Sequence, residues 1–309
     1  MKKIMNFLLT FKSVLLLFIY AIPGYLLIKT KLVKPHNIGA FAVVLLYVNQ
    51  PCLSLYSFQK TEFTLELFKE MGIFFFISLI LEVLMLFIVY FLFRKKLDIK
   101  KRICTVAAAF GNVGFLGVPL LEALLPDYPK AICFSAVFIV SMNLLAWTLG
   151  LFLMTGDKKF FSWKKLVLNP PILTLVVALP LFFTNTKLPD MLFNAVELLG
   201  KMTTFLCMLI LGMRFATVDK RKIFKDPFIY LNAALKLIAF PSIAFLLIFA
   251  LPIDKNVIVT MFILCCCPTA SVILNLAEIH DSGQETASNL VMTSTLFSII
   301  TIPLMLMLI

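Results

Sequence analysis

The sequence has few charged residues. Only 14% of its 309 residues are charged, whereas 61% are hydrophobic and the mean hydropathy is +1.03. A soluble domain has about a quarter charged residues, so this composition excludes a soluble enzyme, a disordered chain and a coiled coil. The net charge of +12 comes from short basic clusters between long apolar runs, which is typical of membrane loops and not of a nucleic-acid-binding surface. We therefore expect a polytopic membrane protein without a nucleic-acid partner.

Residues that carry hydrolytic or metal chemistry are also scarce. The two histidines, His36 and His280, do not belong to an H-E-x-x-H motif, and the sequence contains no G-x-S-x-G elbow. The seven cysteines form no C-x-x-C pair and lie in apolar runs. This pattern indicates small packing residues and argues against a disulfide or zinc framework. The sequence predicts no enzymatic activity, cofactor or metal site.

Ten apolar segments are each long enough to cross the hydrocarbon core as a helix, which takes about 20 residues. Short connections separate these spans and leave no room for a further domain. We expect a multi-pass protein of the plasma membrane. Most Lys and Arg residues fall in the connections after odd-numbered spans, so the positive-inside rule predicts that both termini lie outside the cytoplasm. The predicted spans are 7–28, 37–58, 69–93, 103–125, 131–154, 166–184, 190–213, 227–251, 255–279 and 286–308.

The spans divide into two sets of five around a short cytoplasmic connection at 156–165. An odd number of spans per set predicts two repeats, 1–155 and 166–309, with opposite orientations in the membrane. When the two halves are aligned, Gly111 in the fourth span falls opposite Pro268 in the ninth. Both residue types interrupt helices. For either span alone a kinked packing helix is an alternative, but paired breaks at matching positions favour a substrate site.

The fourth span carries a motif that resembles that of a known family. Its sequence Gly111-Asn112-x-Gly-x-x-Gly-x-Pro-Leu-Leu resembles the fourth span of the auxin efflux carrier family, in which plant members have proline where Gly111 stands here. The short connection at 156–165 is similar to that of compact prokaryotic members. The resemblance covers essentially the whole chain and includes Pro51, Asn169-Pro170, Lys236-x-x-x-x-Pro241, Pro268-x-Ala270 and Pro303.

The resemblance implies a particular architecture and activity. Ten helices would form an inverted five-plus-five arrangement similar to that of sodium/proton antiporters. Spans one, two, six and seven would form a scaffold, often dimeric, and spans three to five and eight to ten a mobile transport domain. The fourth and ninth spans would be broken and cross near the bilayer centre, where the substrate binds. Characterised members transport small organic anions such as auxin, malate or malonate.

Residue chemistry at the two breaks agrees with an anionic substrate. Each break exposes the N-terminus of a half-helix, whose N–H groups and partial positive charge attract a carboxylate. Asn112, Thr269 and Ser271 add polar groups beside Gly111 and Pro268. Two polar residues of other spans are further candidates, for which a helix–helix hydrogen bond is the alternative. They are Asn143 in the fifth span and Gln50 in the second.

Two ionisable residues lie well inside spans, Glu82 in the third and Lys236 in the eighth. Such residues are functional candidates because charge is costly in lipid. The repeat alignment puts them at nearly corresponding levels, so we interpret them as a buried pair or a proton-coupling site; local structural pairing or snorkelling is the alternative. Glu122, in contrast, is expected at a solvated span end.

These observations predict a secondary transporter that moves a small carboxylate by alternating access. A sodium/proton antiporter would have a similar fold but usually needs an acidic pair at the crossing, where this sequence has amide and hydroxyl groups. A drug/metabolite exporter would have a similar number of spans without the paired breaks. A passive channel fits the composition, but the broken-helix pair favours alternating access. The expected partners are the organic anion, membrane lipid and a second copy bound through the scaffold helices.

Overall fold

The protein is built from helices that are mostly long and apolar. The structure, a computed structural model, describes residues 7–96, 98–155, 170–217, 226–279 and 283–309. The predicted connection 156–165, Asn169 and His280 lie outside these residues. Within the described ranges the regular elements are helices, seven of which are long and apolar enough to cross a membrane. The chain is therefore an all-α polytopic membrane protein.

The helices are numbered here along the chain. They are α1 (Phe7–Ile19 and, after a turn, Ile22–Lys29), α2 (Pro35–Lys60), α3 (Leu65–Phe93), α4 (Ile99–Ala109), α5 (Val113–Leu124), α6 (Lys130–Met154), α7 (Pro170–Phe183), α8 (Asp190–Thr217), α9 (Pro227–Ile248), α10 (Lys255–Cys265), α11 (Val272–Ile279) and α12 (Gln284–Leu306). The seven long helices are α1, α2, α3, α6, α8, α9 and α12.

Apart from the short turn within α1, two of the ten predicted spans are interrupted. The fourth span consists of α4 and α5, separated by residues 110–112, and the ninth consists of α10 and α11, separated by residues 266–271. Each of these four helices has at most 12 residues, too few to cross about 30 Å of hydrocarbon alone. The interruptions coincide with Gly111 and Pro268.

The outer surface of the bundle is suited to lipid. In α3, for example, Phe76, Ile80 and Phe91 are more than half exposed. A helix that is apolar on all sides fits a bundle helix that faces both protein and hydrocarbon. Two polar side chains in the middle of α3 point inward instead, since Ser78 and Glu82 are fully buried.

Three prolines coincide with local widening of the helices. Pro51, Pro119 and Pro241 each follow a π-helical turn within two residues, in α2, α5 and α9 respectively. Proline supplies no N–H and clashes with the preceding turn, so the backbone there relaxes into a wider turn. These turns carry or adjoin polar groups discussed below, and π-turns are frequent at functional sites.

The helices α1 and α8 approach each other unusually closely. A Cβ on Gly212 would collide with the carbonyl oxygen of Ala21, and a Cβ on Gly24 would collide with the carbonyl oxygen of Leu209. Only glycine permits this backbone separation, a common way of packing helices in membranes. The contact joins the first and seventh predicted spans.

Candidate functional site

The two interruptions meet inside the bundle and pair through their backbones. Gly111 and Thr269 form an isolated antiparallel bridge. The Asn112 N–H donates to the Pro268 carbonyl at 2.7 Å, and the Ala270 N–H donates to the Phe110 carbonyl at 2.9 Å. Backbone groups freed by an interrupted helix must find protein or water partners at this depth. The two breaks meet that need by bonding to each other.

Thr269 fastens this crossing through its side chain as well as its backbone. Its hydroxyl donates to the Ala107 carbonyl at 3.1 Å and accepts from Asn232 Nδ2 at 3.4 Å, while its N–H donates to Ser294 Oγ at 3.1 Å. All four residues are buried. The hydroxyl predicted to contact substrate is therefore already engaged with α4 and α9 in this conformation.

Lys236 lies directly beside the crossing. It is fully buried in the π-turn of α9, and its Nζ donates to the Ala109 carbonyl at 3.3 Å. The same ammonium lies 4.1 Å from the centre of the Phe240 ring. Nζ is also 3.3 Å from the position that a Cβ on Gly111 would occupy. Gly111 thus gives the lysine room to reach the C-terminal end of α4.

The helices that follow the two breaks, α5 and α11, begin with unpaired backbone amides. Within the described part of the chain, the N–H groups of Gly114 and Phe115 at the start of α5 have no protein acceptor, and neither do those of Ser271 and Val272 at the start of α11. All four residues are partly exposed. Free N–H groups at a helix N-terminus favour an anion.

A small cleft, with about 20 Å³ open to the centre of a water molecule, lies beside the start of α5. Gln50 Nε2 donates to the Gly114 carbonyl at 3.1 Å across it, and Cys207 Sγ donates to the same carbonyl at 3.7 Å. The lining consists of small polar and apolar side chains from α2, α5 and α6, without a carboxylate: Gln50, Leu53, Ser54, Gly114, Val118, Ile132, Ser135, Ala136 and Ile139.

The remaining polar candidates are distributed around this cleft and the crossing. Asn112 is 4% exposed and lies between α4 and α5, two residues before Gly114. Ser271 is half-buried at the start of α11. Asn143 is buried in α6, where Nδ2 donates to the Ile139 carbonyl of its own helix at 2.9 Å. The structure thus brings Gln50 and Gly114 to one cleft and keeps Asn143 outside its lining.

Glu82 is fully buried in α3, and neither carboxyl oxygen has a hydrogen-bond partner among the described residues. No described ion pair joins it to Lys236, although the ammonium acts on it electrostatically. The two predicted charges therefore lie in the same part of the bundle without direct contact.

Two side-chain contacts, one of α5 and one of α9, are not indicated by the sequence. Glu122 lies near the end of α5, as expected, but it is partly buried and its Oε2 accepts from Thr204 Oγ1 at 2.6 Å. Asn232 joins Thr269 to Cys104, whose Sγ donates to Asn232 Oδ1 at 3.4 Å. The only sequence signal for Asn232 is an amide in an apolar span, which several other residues share.

A bundle of membrane-spanning helices with two interrupted helices joined at its core is an arrangement common among membrane transport proteins. A family model described as membrane transport protein matches the chain over residues 9–161 and again over 158–306. These matches cover nearly the entire chain, which therefore belongs to this family, the auxin efflux carrier family that the fourth-span motif predicts. A comparison with curated proteins gives no significant match.

Proposed function

We propose that the protein is a secondary transporter that moves a small organic carboxylate across the plasma membrane by alternating access. The observation that carries this proposal is the pairing of two interrupted helices, with unpaired amides at the start of α5 and α11. Transporters commonly bind substrate at such interrupted helices near the bilayer midplane. Membership of a transport family supports the same activity.

The chemistry around the breaks favours an anion. The N-terminus of α5 has a partial positive charge and two unpaired amides, and it borders a cleft without a carboxylate in its lining. Asn112 supplies a side-chain amide near the same helix start. A sodium/proton antiporter would instead need carboxylates in this position, and a drug/metabolite exporter would not need the paired breaks.

The architecture proposed for this activity is the inverted repeat of ten spans. The predicted fourth and ninth spans are the interrupted ones, and the two stretches matched by the family model meet at residues 158–161, inside the predicted connection. Spans one, two, six and seven form the scaffold, with the close α1–α8 contact inside it, and the other six form the transport domain. Both termini lie outside the cytoplasm, and two copies associate through the scaffold.

Uptake of labelled carboxylates into proteoliposomes tests the proposal. The panel contains mono- and dicarboxylates, malate and malonate included. We expect saturable uptake of at least one, reduced by Asn112→Ala and unchanged by Asn194→Ala, which alters an exposed asparagine on α8. Both variants are compared at equal amounts of folded protein. Absence of uptake for the whole panel overturns the carboxylate proposal, and equal uptake by both variants removes Asn112 from the site.

A further inference from the structure

Two buried ionisable side chains of opposite sign act on each other in the bundle, and one of them, Lys236, contacts the crossing. Lys236 and Glu82 are each 0% exposed, on α9 and α3. A net charge inside a membrane protein is costly, whereas a balanced pair is tolerated. The summed charge of Lys236, Glu82 and the bound substrate therefore determines which forms of the protein can change conformation.

The surroundings of Lys236 suit the charged ammonium. It donates to the carbonyl of Ala109, the last residue of α4, and lies over the face of Phe240. The C-terminal end of a helix has a partial negative charge, and an aromatic face attracts a cation. Lys236 thus supplies one fixed positive charge beside the crossing.

The surroundings of Glu82 suit a carboxyl that gains and loses a proton. Neither oxygen has a hydrogen-bond donor among the described residues, so in this conformation the ionised form would lack the bonds that a buried carboxylate needs. The hydroxyl of the neighbouring Ser141 is engaged elsewhere: it accepts from Ser78 Oγ at 2.8 Å and donates to the Phe138 carbonyl at 2.9 Å.

Few other groups that titrate or carry charge face Glu82. The helix α6 contributes the neutral Ser141, α9 contributes Lys236, and α10 contributes the Cys265 thiol. The helix α4 packs against α3 but adds no charged side chain that acts on Glu82 within the described part of the chain. Lys236 is thus its one charged neighbour there.

We propose that Glu82 binds one proton for each monocarboxylate transported, which makes the protein an electroneutral proton–carboxylate symporter. This inference rests on the proposed carboxylate transport. With Lys236 positive, the buried charge sums to zero in two states: empty with Glu82 ionised, and loaded with Glu82 protonated. Each of the other two combinations leaves one uncompensated charge in the membrane interior. Only the two balanced forms change conformation readily.

The proton is conserved through this cycle. On the side where substrate enters, a water-borne proton bonds to a Glu82 oxygen, and the neutral loaded form changes conformation. On the opposite side the same O–H bond breaks, and the proton leaves to water together with the carboxylate. The empty form then returns with Glu82 ionised and balanced by Lys236.

The variant Glu82→Gln tests this scheme because it keeps the size of the side chain and fixes it as neutral. Its loaded form remains balanced, whereas its empty form keeps an uncompensated Lys236. We expect exchange of internal for external carboxylate to continue within about twofold of the unmodified protein, and net uptake to fall by about a hundredfold or more. Glu66→Gln, at an exposed position of α3, should leave both rates unchanged.

A second measurement uses the unmodified protein. Vesicles containing a pH-sensitive dye should report one proton entering per monocarboxylate, at a rate independent of a potential clamped with potassium and an ionophore. A potential-dependent rate, or carboxylate uptake without proton entry, overturns the symport scheme while leaving carboxylate transport intact. The symport scheme is also overturned, with carboxylate transport left intact, if folded Glu82→Gln loses exchange and net uptake in equal proportion. Absence of all carboxylate exchange in the unmodified protein overturns the proposed function itself.

Discussion

The Thr269 hydroxyl offers a direct test of how the crossing is held together. Thr269→Val removes the hydroxyl with almost no change of shape, so the Ala107 carbonyl and the Asn232 amide each lose a bond. Thr269→Ser keeps the hydroxyl and removes only a methyl group. The two variants thus separate hydrogen bonding from packing at a single position.

The magnitude follows from the burial of these partners. A buried polar group that loses its only partner costs about 1–3 kcal/mol. The Ala107 carbonyl is buried and accepts at 3.1 Å, whereas the Asn232 contact is longer at 3.4 Å and contributes less. We expect Thr269→Val to lower the free energy of unfolding by about 2–4 kcal/mol, and Thr269→Ser by about 1 kcal/mol, the value of one buried methyl group.

The assay is reversible unfolding in mixed micelles of mild detergent and dodecyl sulfate, followed by tryptophan fluorescence or far-UV circular dichroism. The expected order of stability is the unmodified protein, then Thr269→Ser, then Thr269→Val. If the serine and valine variants unfold at the same dodecyl sulfate fraction, the hydrogen bonds of the Thr269 hydroxyl do not stabilise the crossing.

Two further predictions concern packing and capping. Gly212→Ala drives a Cβ into the Ala21 carbonyl and should lower the free energy of unfolding by about 1–3 kcal/mol. Gly39→Ala, whose Cβ meets open space, should be neutral or stabilising in the same detergent titration. Equal effects of the two substitutions would contradict the close contact between α1 and α8. The Asp98 side chain caps α4 by accepting from the Lys101 N–H at 2.9 Å, and this bond lowers the pKa of Asp98. Asp98→Ala should therefore cost about 0.5–2 kcal/mol at neutral pH. Because the folded-state pKa is the lower one, the cost should disappear as pH falls through it, and a pH-independent difference between the two proteins refutes the capping role.

The positions of the interruptions could be predicted from sequence because their cause is local. Gly111 and Pro268 interrupt helices through their own backbone chemistry, and the structure breaks the helices there. The family prediction, which rests on the surrounding motif, is confirmed. The length and apolar composition of the predicted spans were likewise enough to predict an all-α membrane protein.

The partners of polar side chains could not be predicted in the same way. Periodicity indicates which face of a helix is buried but not which helix covers it. Glu122 lies near the end of α5 as predicted, but its place there did not indicate its bond to Thr204, 82 positions later in the sequence. The Thr269 hydroxyl, predicted to contact substrate, also bonds to the Ala107 carbonyl, a partner that the sequence does not indicate. Such pairings depend on the relative rotation of helices from different halves.

The bridge between Gly111 and Thr269 also has a consequence for biosynthesis. The two residues that it joins are far apart in sequence, so α4 and α5 enter the membrane long before residues 268–270 leave the ribosome. Until then the Phe110 carbonyl and the Asn112 amide lack their final partners in a medium that offers none. The first five spans alone are therefore an incomplete folding unit. We expect this half to depend on an insertase or membrane chaperone until the second half arrives, and co-expressed halves to rescue each other.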